Sequence, residues 1–224
     1  MNAVTTYEAV VLGATGAIGR ELTSQLVASP ACGRVTAFTR RELGPEARQS
    51  LFGKHSAESD KLRVQTVDYN ALKETDFRSE KGVAADVVFC CLGTTRADAG
   101  SAEAFRKVDF DHVVDSAKTA RTLGVPYFGL VTSGGSDKNS FFLYPRTKGE
   151  VEEAVQGMGF TRLSIFRPGL LDRAGESRTW EWLANKVMPG VAMQVIARAM
   201  IRDYESKVGE KREFNDAQIR DLGK

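Results

Sequence analysis

The chain has 224 residues, 42% apolar and 27% charged, which suits a single buried core and leaves little room for a second domain beyond a small appendage. Its 31 basic and 29 acidic side chains give a formal net charge of +2, which excludes the strong field that nucleic acid or an acidic membrane surface would demand. No stretch approaches the ~20 apolar residues of a membrane helix, and three cysteines are too few and too odd for a disulfide framework, so a reducing compartment is expected.

In chain order, Ala9–Leu12 is a short apolar run, too short for a secretory leader's core and with no basic residue before it. Ile18 to Ala28 has helical spacing, with Ile18, Leu22, Leu26 and Val27 on one face. A second strand spans residues 34–39. Residues 44–61 are polar and contain Gly, Pro and Ser, which predicts a surface loop or loose helix. Residues 63–67 alternate as a third strand. Residues 85–91 are almost wholly apolar, as in a strand covered on both faces of a parallel sheet. A long amphipathic helix over 105–123 stops at Gly124 and Pro126. A fifth strand follows at 127–132, a helix at 145–156 and a sixth strand at 161–166, closed by Pro168-Gly169. The remainder is helical and mixed.

The first apolar run ends in Gly13-x-x-Gly16-x-x-Gly19, which then opens a helix. A pyrophosphate must come close enough to a helix N-terminus to meet its N–H groups, and side chains at the turn would block it. Gly13 permits the tight turn, Gly16 the approach of backbone to phosphate, and Gly19 the packing of helix on strand, with Thr15, Ala17 and Ile18 completing the cradle. Six strands alternating with helices around such a turn predict an α/β protein, a doubly wound parallel sheet of Rossmann type. Residues 1–224 then form a single NAD(P)-binding domain, with 170–205 as a small helical substrate lid. Arg40 and Arg41 close the second strand where an NAD site would want a carboxylate, so NADP is preferred over NAD. Asp68 ends the third strand as an acceptor for the adenine amino group or as a helix N-cap. Cys91-Leu92-Gly93-Thr94 ends the fourth, where Gly93 lets a cofactor cross the sheet edge. Buried thiols are the reading for all three cysteines.

Ser133 follows the fifth strand, and Tyr144 and Lys148 stand one helical turn apart eleven residues later. Reducing a carbonyl requires a proton donor beside the incoming hydride. Free tyrosine has a pKa of about 10, and a nearby ammonium lowers it. Tyr144 is therefore the candidate acid/base, Lys148 its tuning cation and a holder of the cofactor ribose, and Ser133 the group that orients the substrate oxygen. The spacing is cheap: five Tyr and twelve Lys predict about a quarter of a Tyr-x-x-x-Lys match by chance. Tyr69 and Lys73 also match, with Ser56 upstream, but they follow the third strand, on the adenine side of the switch point. Pro145 disfavours helical geometry at Tyr144, which places Tyr144 at the N-cap of its helix.

Trp180 and Trp182, with Phe141 and Phe142, are read as core or lid packing or as a substrate wall. His55 and His112 with this cysteine pattern supply no metal site. His112 is read as structural or exposed, and Arg96 either as a partner for an anionic group or as a solvated loop residue. Lys207 to Arg212 reads as a wet charged surface.

These residues resemble an atypical short-chain dehydrogenase/reductase, and within that group the Tat-interacting-protein subfamily of oxidoreductases. The similarity rests on Phe89-Cys90-Cys91-Leu92-Gly93-Thr94-Thr95-Arg96, on Phe142-Leu143-Tyr144 with Lys148-Gly149-Glu150-Val151-Glu152, on Phe166-Arg167-Pro168-Gly169 and on Asp221-Leu222-Gly223-Lys224. It implies NADP binding, Ser133, Tyr144 and Lys148 in catalysis, and Pro168-Gly169 beside the nicotinamide. A small carbonyl or alcohol substrate is expected, because only 55 residues follow Gly169, too few for a large sugar-nucleotide domain. The alternative is an NADP-binding regulatory or sensor protein with little turnover. A regulatory protein partner and a homodimer are compatible with either reading, and the expected location is cytoplasmic, with the nucleus as the alternative.

Overall fold

The computed structural model describes residues 6–79, 82–172 and 190–224. Its strands are β1 (Tyr7–Leu12), β2 (Cys32–Thr39), β3 (Leu62–Thr66), β4 (Val87–Cys90), β5 (Tyr127–Val131), β6 (Arg162–Phe166), β7 (Leu171–Asp172), β8 (Val191–Ala192) and β9 (Lys211–Phe214). Its helices are α1 (Ala17–Ala28), α2 (Pro45–Phe52), α3 (Lys54–Ala57), α4 (Arg96–Ala99), α5 (Ala102–Arg106), α6 (His112–Thr122), α7 (Leu143–Gln156), α8 (Met193–Ser206) and α9 (Asp216–Leu222). A π turn over Lys107–Asp111 joins α5 to α6.

Seven strands form one parallel sheet in the order β3-β2-β1-β4-β5-β6-β9, and β7 and β8 pair separately. The order runs outward from β1 in both directions, so a crevice opens above the carboxyl ends of β1 and β4. The doubly wound parallel sheet expected from the alternating pattern is therefore present, with one strand more than the pattern revealed.

Period-two alternation divides the core between the faces. Ala9 and Val11 of β1 face the layer holding Leu22 and Leu26 of α1 and Ile196 and Met200 of α8. Val10 and Leu12 face the layer holding Val113 and Ala117 of α6 and Val151 of α7. Helix α8 packs on α1, so residues 193–205 of the stretch expected as a lid belong to a buried layer. Trp180 and Trp182 lie outside the described residues.

Of the surface loop or loose helix expected over 44–61, the helical alternative is present: the stretch folds into α2 and α3, the first opened by Pro45 at a position where proline's missing N–H costs nothing. The segment read as a wet charged surface, Lys207 to Arg212, is exposed through Lys211, and its last two residues open β9, whose Leu163 to Phe166 partners lie on β6. The side chains of β9 run exposed, half-buried, exposed and only at Phe214 buried, so no apolar run announced it.

Candidate active site

Gly13 takes φ +73°, and a Cβ there would lie 2.7 Å from the Cys91 carbonyl oxygen. The Gly16 N–H donates to the Gly13 carbonyl at 3.0 Å, and α1 then starts with no side-chain cap and no acidic residue in its first turn. Its leading N–H groups are left for an anion. Above this turn lie two abutting cavities of about 410 and 370 Å³ that share Thr15, Gly16 and the Cys91–Thr94 backbone. The larger extends past Phe38, Arg40, Tyr69 and His112. The smaller extends past Ala17 and Ile18 to Tyr144 and Lys148.

Most of the expected site residues are thus brought to one cleft, and the others are not among its lining residues. Gly19 works from beneath, where a Cβ would lie 2.2 Å from the Gly13 oxygen. Arg41 lines a smaller neighbouring cavity of about 260 Å³ together with Arg40. Asp68 is exposed and accepts from the Asn70 N–H and side-chain amide, both at 2.9 Å, which hold its carboxyl below its ordinary value. Pro168 accepts from the Gly134 N–H, and the Gly169 N–H donates to Asp216. Ser133 is half-buried just past β5, and the Ser136 hydroxyl accepts from its N–H and donates to its carbonyl. Its neighbour Thr132 lines the cleft instead, with its hydroxyl donating to Glu152.

Tyr144 is not the N-cap. Phe142 holds that position in extended geometry, and Tyr144 is the second residue of α7. Proline is tolerated at the third because first-turn N–H groups have no partner within the helix, and its ring meets no helical carbonyl four residues back. The Pro145 carbonyl accepts from the Asp137 N–H at 3.0 Å. Tyr144 therefore shares a helical face with Lys148. The Lys148 Nζ lies 6.0 Å from the Tyr144 ring centroid, and that ring, 43% exposed, packs on Phe105 at 5.8 Å.

Lys148 is buried, and its Nζ lies 2.8 Å from Asp109 Oδ1. Burial pushes the ammonium down, but Asp109 and Tyr144 more than offset that and hold it above the ordinary lysine value. The other Asp109 oxygen accepts from the Thr94 N–H at 2.8 Å. Burial pushes the Asp109 carboxyl up, against the pull of Lys148 and of that N–H. Asp109 escaped the sequence reading. The available signal was a carboxylate in register with the stripe Val113, Ser116 and Ala120, all of which are buried. Tyr69, set aside as a catalytic match, lines the larger cavity: its hydroxyl accepts from the Gly13 N–H at 3.3 Å and its ring lies 5.5 Å from His112. His112 is buried at the cleft wall, where burial and then Lys107 hold its imidazole below the ordinary value.

Long-range contacts fix α7 over the sheet edge. A Cβ on Gly149 would lie 2.1 Å from the Lys138 nitrogen, so the loop after Ser133 rests directly on the helix. Glu152 accepts from Arg167 at 2.7 Å, and Arg167 also pairs with Glu213 of β9 at 2.8 Å.

A cleft floored by backbone, opening on an uncapped helix at the switch point of a parallel sheet, defines a dinucleotide-binding α/β protein. Its residues fit the group. A Cβ on Gly93 would meet nothing closer than 3.4 Å, so packing does not impose the glycine, while its lack of a side chain keeps the cleft floor open. The chain belongs to the NAD(P)H-binding family, whose model matches residues 13–203. It is 38% identical to Protein HTATIP2 of Rattus norvegicus across 96% of this chain and 88% of that one. It is 36% identical to Protein FMP52, mitochondrial, of Candida albicans, across 79% of this chain and 72% of that one. The expected kinship with Tat-interacting-protein oxidoreductases is borne out. Among solved structures, UDP-glucuronic acid 4-epimerase from Bacillus cereus in complex with UDP-glucuronic acid and NAD matches with TM-score 0.72 at 13% identity, covering 93% of this chain and 76% of that one. MoeE5 in complex with UDP-glucose and NAD matches with TM-score 0.70 at 15% identity, covering 93% and 75%. At those identities the likeness is one of fold.

Proposed function

We propose that the protein is an NADP-dependent oxidoreductase acting on a small carbonyl or alcohol by a Ser-Tyr-Lys mechanism. The observation that carries this reading is the pair Tyr144 and Lys148, one turn apart on α7, lining the same cleft as the glycine cradle. The nicotinamide supplies or takes the hydride when bound. Gly13, Thr15, Gly16, Ala17 and Ile18 hold the phosphates with backbone, and Gly19 lets α1 approach them. Arg40 and Arg41 favour a 2′-phosphate, and Asp68 serves the adenine end. Cys91–Thr94, Pro168 and Gly169 flank the remainder. Tyr144 passes the proton to the carbonyl oxygen, and Lys148 favours the phenolate left behind. Ser133 donates to the same oxygen and fixes its distance from Tyr144.

The test is a panel of small aldehydes and ketones with NADPH, followed at the nicotinamide absorbance band. Tyr144→Phe should lower turnover by about a thousandfold while NADPH binding survives. Equal turnover in that variant would refute the assignment. Phe141 and Phe142 beside the site are 90% and 72% exposed, which favours a second reading, an NADP-binding regulator that acts through a protein partner. Tight NADPH binding with no turnover across the panel would support that reading.

A further inference from the structure

The parallel sheet gives the molecule a second polar edge. Strand carboxyl ends and helix N-termini meet at the cofactor cleft, so helix C-termini gather at the opposite, amino edge, where their carbonyls favour positive charge. Two resident cations already sit against them. The Lys61 Nζ donates to the Ser29 carbonyl past the end of α1 at 3.0 Å, and Arg162 donates to the Asp203 and Tyr204 carbonyls near the end of α8, both at 3.0 Å. Where these two helix ends meet the starts of β1 and β4 lies a cavity of about 350 Å³, lined in part by Tyr7, Asp86, Tyr204, Glu205 and Lys207. The chemistry proposed for the cofactor cleft makes no use of it.

Glu205 is oriented through one oxygen, Oε1, which accepts from the Tyr7 hydroxyl at 2.9 Å and from the Ser29 hydroxyl at 3.2 Å. Asp86 is oriented the same way, its Oδ2 accepting from the Glu8 N–H of β1 at 2.7 Å. Among the described residues, no hydrogen bond or ion pair takes up the other oxygen of either carboxylate. Burial pushes the Tyr7 and Tyr204 phenols up, Tyr204 to about 12, so both stay neutral and the negative charge rests on the two carboxylates. The two rings meet edge to face at 4.7 Å, and Tyr204 packs on buried Tyr127 at 5.0 Å, which fixes the aromatic wall. Carboxylates beside aromatic rings attract an ammonium both by charge and by the ring quadrupole. The volume exceeds what a bare ammonium fills and lies within the range of small-molecule sites, about 300–1,000 Å³. We propose that this amino-edge cavity binds a small organic ammonium, a free amine whose apolar body rests on Tyr7 and Tyr204 while its charge meets Asp86 and Glu205. Lys207, the C-cap of α8 in left-handed geometry at φ 55°, makes no ion pair among the described residues and opposes the ligand's charge.

The test is calorimetric titration of the full chain with benzylammonium, with benzyl alcohol as its neutral counterpart and benzoate as its anionic one, each with and without saturating NADPH. Benzylammonium should bind about tenfold more tightly than either control, and NADPH should leave that affinity within about twofold, since the cleft lies at the other edge. Glu205→Gln and Asp86→Asn each keep an acceptor for the groups that orient them and remove one charge, and each should weaken benzylammonium about fivefold. Lys207→Ala should strengthen it about twofold. Equal binding of benzylammonium and benzyl alcohol would overturn the proposal, as would displacement by NADPH or weaker binding in Lys207→Ala. Should one carboxylate variant not fold, the other decides the point, and an unchanged affinity in it would overturn the proposal too. Tighter binding of Nα-acetyl-lysine methylamide than of benzylammonium would overturn the free amine in favour of a partner protein's lysine. The outcome is independent of turnover, since a protein that reduces no carbonyl can still bind benzylammonium at this edge.

Discussion

A methyl group on Gly19 would sit 2.2 Å from the Gly13 oxygen and 2.9 Å from the Ala14 Cα, both rigid backbone atoms. Gly19 is therefore required by the protein's own packing, whereas Gly93 meets only ordinary contacts, so a demand for glycine there would come from the occupant of the cleft. Alanine at the two positions should separate these causes. Gly19→Ala should lose about 3 kcal/mol in chemical denaturation, since α1 must move off β1. Gly93→Ala should keep its denaturation midpoint yet weaken NADPH by about tenfold, as a methyl enters the cleft floor. A Gly93→Ala variant with unaltered NADPH affinity would show that the cofactor does not cross the sheet edge there.

Helix α8 is joined to three strands through one residue. Asp203 is fully buried and accepts from the Tyr127 hydroxyl of β5 at 2.8 Å, from the Ser164 hydroxyl of β6 and from Arg212 of β9 at 2.6 Å. The Asp203 carbonyl in turn accepts from Arg162 at 3.0 Å. This network explains how a strand as charged as Lys-Arg-Glu-Phe joins the sheet: Arg212 is matched by a carboxylate already in the core, and its guanidinium lies 4.7 Å from the Phe214 ring centroid. Asp203→Ala strips an acceptor from two buried hydroxyls and a partner from a cation, and should cost about 3–5 kcal/mol of folding stability. Tyr127→Phe, which removes one hydroxyl from the set, should cost about 1 kcal/mol. Equal losses in urea unfolding would mean that the carboxylate does not organise the β9 edge.

The cleft lies above the two halves of the sheet, so a ligand filling it should stabilise the molecule as a unit. NADP at about a hundred times its dissociation constant should add about 2.7 kcal/mol and raise the melting temperature by about 5–10 °C. NAD at the same concentration should add less, because Arg40 and Arg41 at the end of β2 have no 2′-phosphate to meet. Arg40→Ser should bring the two nucleotides together by lowering the NADP shift alone. Equal shifts from NAD and NADP in the unsubstituted protein would exclude a 2′-phosphate contact at Arg40.

Residues close in sequence carried most of the architecture. The six strands of the alternating pattern were legible because central parallel strands are short apolar runs and each helix keeps one apolar stripe. The glycine turn was legible because its steric demand is confined to seven residues. Tyr144 and Lys148 could be paired because four residues are one helical turn. Contacts between distant segments decided the rest. Strand β9 depends on pairing with Leu163 to Phe166 of β6, far away along the chain, and on the buried Asp203 of α8, and a charged edge strand has no local apolar signature. The placing of Tyr144 inside α7 depended on how the first turn accommodates Pro145, which local preference alone mispredicted. The partner of Lys148 lies 39 positions upstream, and its register with a buried helical stripe marks it as buried without showing what it meets. Pattern reports which face of an element turns inward, and only packing brings two such faces together.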